Sequence, residues 1–276
     1  MSFTDLTATA KADVTYQVRV KDGSNNVLTG PVLETRAPAS KLAADKYFNA
    51  VQADGANAYW RFGESAGTSA RNWTSDRDLT LDANIGRGKP SAIVTGVDKA
   101  VRFNGGTAGV LGTTKVREWA PQAEFSEELW FRTGTTTGGK MLGFGSSSTE
   151  DSATSDRHLY LGTTGKVSFG VASAKVFKTV TSPKAYNNAK WHHVVATLGS
   201  TGMRLYVDGK LVASDAKTTF ADPYSGVWRV AGDSVGTGYG NLPNNTRFNG
   251  ELDEIAVYGS ALTAAKVTAH FNLSGR

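Results

Sequence analysis

The chain has 276 residues, no cysteine, and 30 basic against 25 acidic residues, a net charge of +5. That length buries a large core unaided, and the lack of cysteine excludes a disulfide framework, thiolate zinc sites, iron–sulfur clusters and a cysteine nucleophile. Lys and Arg are dispersed rather than grouped in runs, which reads as a solvated surface with no pointer to nucleic acid, and no apolar stretch approaches the ~18–20 residues of a membrane span.

Gly is abundant at 31 residues and Pro scarce at 7, and short alternating segments separated by turn signals recur, which together predict an all-β chain. Met1-Ser2-Phe3-Thr4-Asp5 carries neither the basic nor the apolar region of a signal peptide. Phe3-Thr4-Asp5 reads as a short edge, Val14 to Val20 as a strand, Asp22-Gly23 as part of a turn, and Val32-Leu33-Glu34-Thr35 as a further strand. Residues 1–38 are thus an N-terminal β appendage, too small for a sandwich with its own core. Residues 39–53 are a linker in which Ser40 is placed to cap a short helix ending near Val51.

The body, 54–276, brings the alternating segments Ala58-Tyr59-Trp60-Arg61-Phe62, Glu127-Glu128-Leu129-Trp130-Phe131-Arg132, Leu159-Tyr160-Leu161 and Lys166-Val167-Ser168-Phe169-Gly170-Val171. Trp191-His192-His193-Val194-Val195-Ala196-Thr197, Arg204-Leu205-Tyr206-Val207 and Leu252-Asp253-Glu254-Ile255-Ala256-Val257-Tyr258 follow. Side chains in a strand repeat every two residues, so each segment offers one apolar face to a core. Asp208-Gly209 predicts a tight hairpin, because both central residues must take positive φ. Thr263 is placed to cap a C-terminal helix that stops near Gly275, with Val267 and Phe271 on one face. Trp60, Trp130 and Trp191 fall on alternating strands and belong in the core. Two polar Gly/Ser-rich loops, 145–156 and 232–246, are long enough to carry function.

Catalytic chemistry finds little footing. A glycosidase needs two carboxylates flanking the scissile bond. Glu127 and Glu128 are adjacent and point to opposite faces, and Glu251-Leu252-Asp253-Glu254 has Ile255 and Ala256 where a further acid is required. Adjacent His192 and His193 likewise project to opposite sides and cannot chelate one ion, which leaves His193 as a structural histidine. No catalytic residue is assigned.

Four stretches, in order, resemble the laminin G-like jelly-roll domains of the concanavalin A-like lectin/glucanase superfamily. They are Ala58-Tyr59-Trp60-Arg61-Phe62-Gly63-Glu64, then Ala100-Val101-Arg102-Phe103-Asn104-Gly105, then Trp191-His192-His193-Val194-Val195 with Leu205-Tyr206-Val207-Asp208-Gly209. The last is Phe248-Asn249-Gly250-Glu251-Leu252-Asp253-Glu254-Ile255-Ala256-Val257-Tyr258 with Ala261-Leu262-Thr263. The resemblance implies a two-sheet antiparallel jelly-roll sandwich with a short C-terminal helix, and a structural Ca²⁺ site to which Asp253, Asn104 and, through its carbonyl, Gly105 contribute.

Tyr16, Val18, Arg19, Asp22 and Asn26 resemble the end of a fibronectin type III domain, so 1–38 is expected to be the tail of such a domain in a longer secreted or surface-displayed parent. A hairpin packed on the body is the alternative. The function implied is a non-catalytic extracellular recognition or adhesion module for a glycan, a cell-surface polymer or a protein. Trp73, Asn72, Asp76, Tyr239 and Trp228 are the residues expected to bind carbohydrate, with Trp119 and Tyr224 as further aromatics. The alternatives are a structural spacer or assembly module of a surface filament or phage tail and, less, an accessory domain of a polysaccharide-degrading enzyme.

Overall fold

The computed structural model describes residues 13–21, 27–36, 45–82, 84–96, 98–106, 112–114, 117–120 and 124–276. Strands β1 (Asp13–Lys21) and β2 (Val27–Arg36) pair antiparallel, with a bulge between Gln17 and Arg19. The expected Phe3–Asp5 edge and the turn at Asp22-Gly23 lie outside the described residues, as does Ser40. Helix α1 (Lys46–Ala53) is instead capped by Asp45, whose carboxylate accepts from the Phe48 amide at 3.0 Å. Tyr47 and Val51, four apart, form its buried face.

The body is a two-layer antiparallel sandwich, as the composition and the resemblance imply. The first sheet runs β17 (Lys210–Asp215), β16 (Gly202–Val207), β15 (Trp191–Gly199), β10 (Phe125–Arg132), β19 (Asn249–Tyr258), β7 (Lys99–Asn104) and β6 (Gly86–Pro90), with β3 (Ala56–Trp60) also on β19. The second runs β14 (Val176–Ala185), β13 (Lys166–Ser173), β12 (Ser155–Leu161), β11 (Gly139–Gly145), β18 (Tyr224–Val230), β8 (Gly112–Thr114), β5 (Leu79–Thr80) and β4 (Ser69–Ala70), with β9 (Glu118–Ala120) on β18. The β16–β17 turn is the expected tight hairpin, with Asp208 and Gly209 at φ +51° and +74°.

Two apolar clusters follow from alternation. Leu129, Phe131, Leu159, Leu161, Val194, Leu252 and Ile255 meet between the sheets. Tyr59, Trp130, Val195, Tyr206 and Ala256 lie on the other face of the first sheet, where α1 and helix α2 (Ala264–Leu273) cover them. Helix α2 is capped by Thr263, buries Val267 and His270, and ends at Gly275 in the left-handed region. Trp60, Trp130 and Trp191 are all buried.

Glu127 and Glu128 do face opposite ways: Glu128 toward the helices, Glu127 into the inter-sheet core, where neither carboxylate oxygen has a hydrogen-bond partner. Burial pushes the Glu127 carboxyl well up, with Asp156 adding and Arg157 and Lys140 opposing. A raised acid holds its proton in the fold, so its contribution is complete below the ordinary carboxylate range and is lost as pH rises through the raised value. Glu127→Gln is therefore expected to match the wild type in thermal unfolding at pH 4 and to exceed it at pH 8, because the neutral amide has no proton to take up on folding. Equal stability at both pH values would contradict this.

Candidate functional site

The outer face of the second sheet carries a cleft of about 390 Å³, within the range that holds small ligands. On β12, Leu159 and Leu161 point into the core, while His158 and Tyr160 point outward beneath the loops. β12 carries an extra residue here: Asp156 pairs with core Phe144, and Arg157, at φ +52°, also turns inward, its guanidinium 5.3 Å from the Phe125 ring. Both Gly/Ser-rich loops reach the cleft, and hydrogen bonds tie them together. Ser234 Oγ donates to Ser152 O at 2.6 Å, Ser155 Oγ donates to Ser234 O at 3.1 Å, and the Ser152 amide donates to Asp233 Oδ1 at 2.7 Å.

Beneath them Lys140 Nζ lies 3.2 Å from Asp233 Oδ2, both side chains fully buried. Burial pulls Lys140 down, whereas Lys140 and the Ser152 amide hold Asp233 below the usual carboxylate range against the effect of burial. Asp233 sits at φ +106°, a strained conformation for a non-glycine residue, and this network keeps it there. Gly145 must be glycine, because a Cβ would collide with Ser152 and Asp233.

The cleft wall comprises Phe177, Tyr224, Ala172, Asp156, Asp222 and the loop serines. Phe177 is 46% exposed, a large apolar ring left open to solvent. Tyr224 donates its hydroxyl to Phe144 O at 2.8 Å and accepts from the Asp156 amide at 3.2 Å. Asp222 accepts from the Ala174 and Lys175 amides at 2.9 and 2.8 Å, holding the turn after β13. Asp156 Oδ1 pairs with Arg157 at 2.5 Å, and its covered Oδ2 has no hydrogen-bond partner. Burial raises the Asp156 carboxyl, with Arg157, Tyr224 and the Ala172 amide pulling it back.

Under the floor, the Tyr239 ring packs 4.7 Å from Phe177 and 4.9 Å from His158. The Tyr239 hydroxyl and both His158 nitrogens have no partner. Burial, reinforced by Lys140, drives His158 well below its ordinary value and keeps it neutral.

The residues expected to bind carbohydrate do not assemble. Asn72 is buried, its side chain holding Tyr59 N, Thr74 N and Ser75 Oγ, so it shapes its own loop. Trp73 is half-buried, edge-on to Phe48 at 5.5 Å, with the Arg71 guanidinium 4.5 Å over its ring. Asp76 is exposed in the same loop, beside α1. Trp228 lies within β18 and is buried in the core, because its neighbours continue the strand rather than forming a loop. Tyr239 is 3% exposed, a floor residue and not a platform.

Trp119, 62% exposed, and Trp228 border a second cleft of about 40 Å³, room for no more than about three waters. The open ring of the larger cleft, Phe177, was missed because it sits in a strand. The two loops, by contrast, were legible from composition.

The expected calcium ligands do not form one donor set. Asp253 is fully buried, its Oδ2 accepting from Ser91 Oγ and Ala92 N at 2.8 Å each and its Oδ1 from Glu254 N at 2.9 Å. Asn104 is exposed and accepts from the Gly106 amide, while the Gly105 carbonyl accepts from Asn245. Asn104 faces Asn249 across the ladder, four residues and roughly 13 Å along β19 from Asp253. Among the described residues no group of three or more His, Asp or Glu is disposed to hold a metal. Nor is any helix there long and apolar enough to cross a membrane.

No curated protein matches the sequence. Solved structures share the fold. Domain 4 of the extracellular arabinanase AbnA from Geobacillus stearothermophilus, in complex with arabinotriose, is 16% identical with a TM-score of 0.56, covering 78% of this chain and 98% of that one. The receptor-binding domain of botulinum neurotoxin type G is 12% identical with a TM-score of 0.56, covering 79% of this chain and 51% of that one. A Trypanosoma rangeli sialidase is 15% identical with a TM-score of 0.54, covering 78% and 32%. The chain thus spans about half of the neurotoxin domain and a third of the sialidase. The sequence profile of the concanavalin A-like lectin/glucanases superfamily matches residues 104–268, more than half of the chain, and to that superfamily the chain belongs.

Proposed function

We propose that this chain is a non-catalytic recognition module that binds a glycan in the cleft between loops 145–156 and 232–246. The observation that carries the reading is the cleft itself: about 390 Å³, lined by the open Phe177 ring and Tyr224 together with loop serines and the Asp222 carboxylate. An aromatic face for a sugar's C–H surface opposite polar groups for its hydroxyls is what saccharide recognition requires. The arabinotriose complex of the arabinanase domain supports it, since that domain matches the sandwich over nearly its whole length.

The carboxylates at the cleft serve structure. Asp222 holds a turn and Asp156 pairs with Arg157, so neither is a free acid or base for hydrolysis. The module acts outside the cell as part of a longer protein, with residues 1–38 as the end of a fibronectin type III-like domain. Pull-down on insoluble polysaccharides, followed by titration with soluble oligosaccharides, is the test. Phe177→Ala is expected to weaken binding at least tenfold, about 1.4 kcal/mol, while leaving the thermal midpoint within a degree or so. Retention on no glycan, or undiminished binding by Phe177→Ala, would defeat the proposal.

A further inference from the structure

The chain as a whole is basic, at +5, and on that ground alone an acidic ligand would be expected. The cleft says otherwise. The charged side chains that line it are Asp156 and Asp222, and no Lys, Arg or His is among its lining residues. The buried cations close by are committed elsewhere. Arg157 pairs with Asp156 and turns into the inter-sheet core, and Lys140 pairs with Asp233 beneath the loops. His158, buried with both ring nitrogens unpartnered, supplies no charge.

Asp156 is paired with Arg157 and its other oxygen is covered, so the carboxylate left to meet a ligand is that of half-buried Asp222. The ionised carboxylates or sulfates of an acidic glycan are acceptors only, and would meet a wall whose charged groups are also acceptors only. A neutral sugar brings hydroxyl donors. Seating it places donors against Asp222 and against the hydroxyl oxygens of Ser155 and Ser234, whose own hydrogens are given to the Ser234 and Ser152 carbonyls.

We infer that the cleft selects uncharged, hydroxyl-rich glycans and turns away acidic ones, with Asp222 as the specificity-determining residue. This rests on the assignment of the cleft as the glycan site. Thr154 is exposed on the cleft rim and is the position at which to alter the charge without disturbing the core.

The experiment compares the full chain on matched neutral and acidic polymers, galactan with polygalacturonate and cellulose with carboxymethyl cellulose, at pH 8 to keep carboxylates ionised and at low salt. Within each pair bound, the neutral member is expected to be retained at least tenfold better, and the preference should shrink as salt screens the cleft. Thr154→Lys should cut the preference at least threefold with the thermal midpoint unchanged. Equal or stronger retention of the acidic member overturns the selectivity while leaving glycan binding standing. A neutral preference that Thr154→Lys does not touch removes it from this cleft. Retention on none of the polymers defeats the glycan assignment itself, and the selectivity with it.

Discussion

Replacing Glu128 by alanine is expected to cost roughly 3–5 kcal/mol of folding stability, the scale of stripping one partner from a buried charge network. Its carboxylate is fully buried and accepts from Tyr47 Oη at 2.8 Å, Tyr258 Oη at 2.6 Å, His193 Nε2 at 2.8 Å and His270 Nδ1 at 3.0 Å. Those donors come from α1, β19, β15 and α2, so a single side chain on β10 pins both helices to the sheet. Trp130 Nε1 donates to Tyr47 Oη at 2.9 Å, and His270 Nε2 lies 3.1 Å from Asp54, which extends the network around α1. Alanine would leave the Tyr47 and Tyr258 hydroxyls, His193 Nε2 and His270 Nδ1 buried without this acceptor. Against a typical domain stability of about 5–15 kcal/mol, the midpoint of urea unfolding should fall by about a fifth or more.

The pH dependence has two arms. Burial works to raise Glu128, but His270 and His193 outweigh it and hold it well below the usual range. Its stabilisation is present above the ordinary carboxylate value and lost as pH falls through the depressed one. Burial works to lower His270, but Glu128 and Asp54 raise it. That contribution is complete below about 6.5, the ordinary histidine value, and is lost as pH rises through the raised one. Glu128→Gln should flatten both arms, and an unchanged pH profile in that variant would refute the network as drawn.

The sandwich was legible because alternation and turn chemistry are local: the Asp208-Gly209 hairpin and the core positions of Trp60, Trp130 and Trp191 follow from spacing two residues at a time. What spacing cannot show is where alternation is broken. On β19, Trp130 of β10 faces Asp253 while Glu128 faces Ala256, so β19 carries one extra residue, and Glu254 takes φ +49°. Alternation alone puts Asp253 and Glu254 on opposite faces. The bulge turns both toward the helix side, Asp253 onto Ser91 and Ala92 and Glu254 onto Arg61.

The expected calcium ligand is thereby a buried acceptor of backbone and hydroxyl hydrogens. The cleft was half legible for a related reason. Serine and glycine enrichment marks the loops, but which strand residues they meet depends on tertiary docking, so Phe177 carried no signal of its own. Trp73 shows the converse: an aromatic beside Asn and Asp in a loop reads as a platform until Phe48 and Arg71 are seen on it.

The same bulge sets up the second large effect. Arg61 is fully buried and donates from Nε and Nη2 to Glu254, with the closest contact at 2.7 Å, and from Nη2 to Asp45 at 2.7 Å; Asp98 lies 3.2 Å from Nε. Three carboxylates thus share one guanidinium, which also lies 5.0 Å over the Phe48 ring. Asp45 is the cap of α1 and Glu254 is the bulge residue, so this one cation ties the helix start to the left-handed turn in β19.

Arg61→Ala would leave three acids facing each other in a low-dielectric pocket, and is expected to cost roughly 3–5 kcal/mol. Arg61→Lys should recover little of that, since an ammonium cannot reproduce a fork aimed at two carboxylates at once. Burial pushes Asp98 up to about 7, with Glu254 adding and Arg61 opposing. Being raised, it contributes stability that is complete below the ordinary carboxylate range and is lost as pH rises through about 7. The Asp98 contribution should therefore be lost between roughly pH 4 and 7, and Asp98→Asn should lose less stability than the wild type over that interval. Urea unfolding of both proteins across that interval decides the matter, because parallel profiles would mean that Asp98 is already ionised and that Arg61 alone balances the cluster.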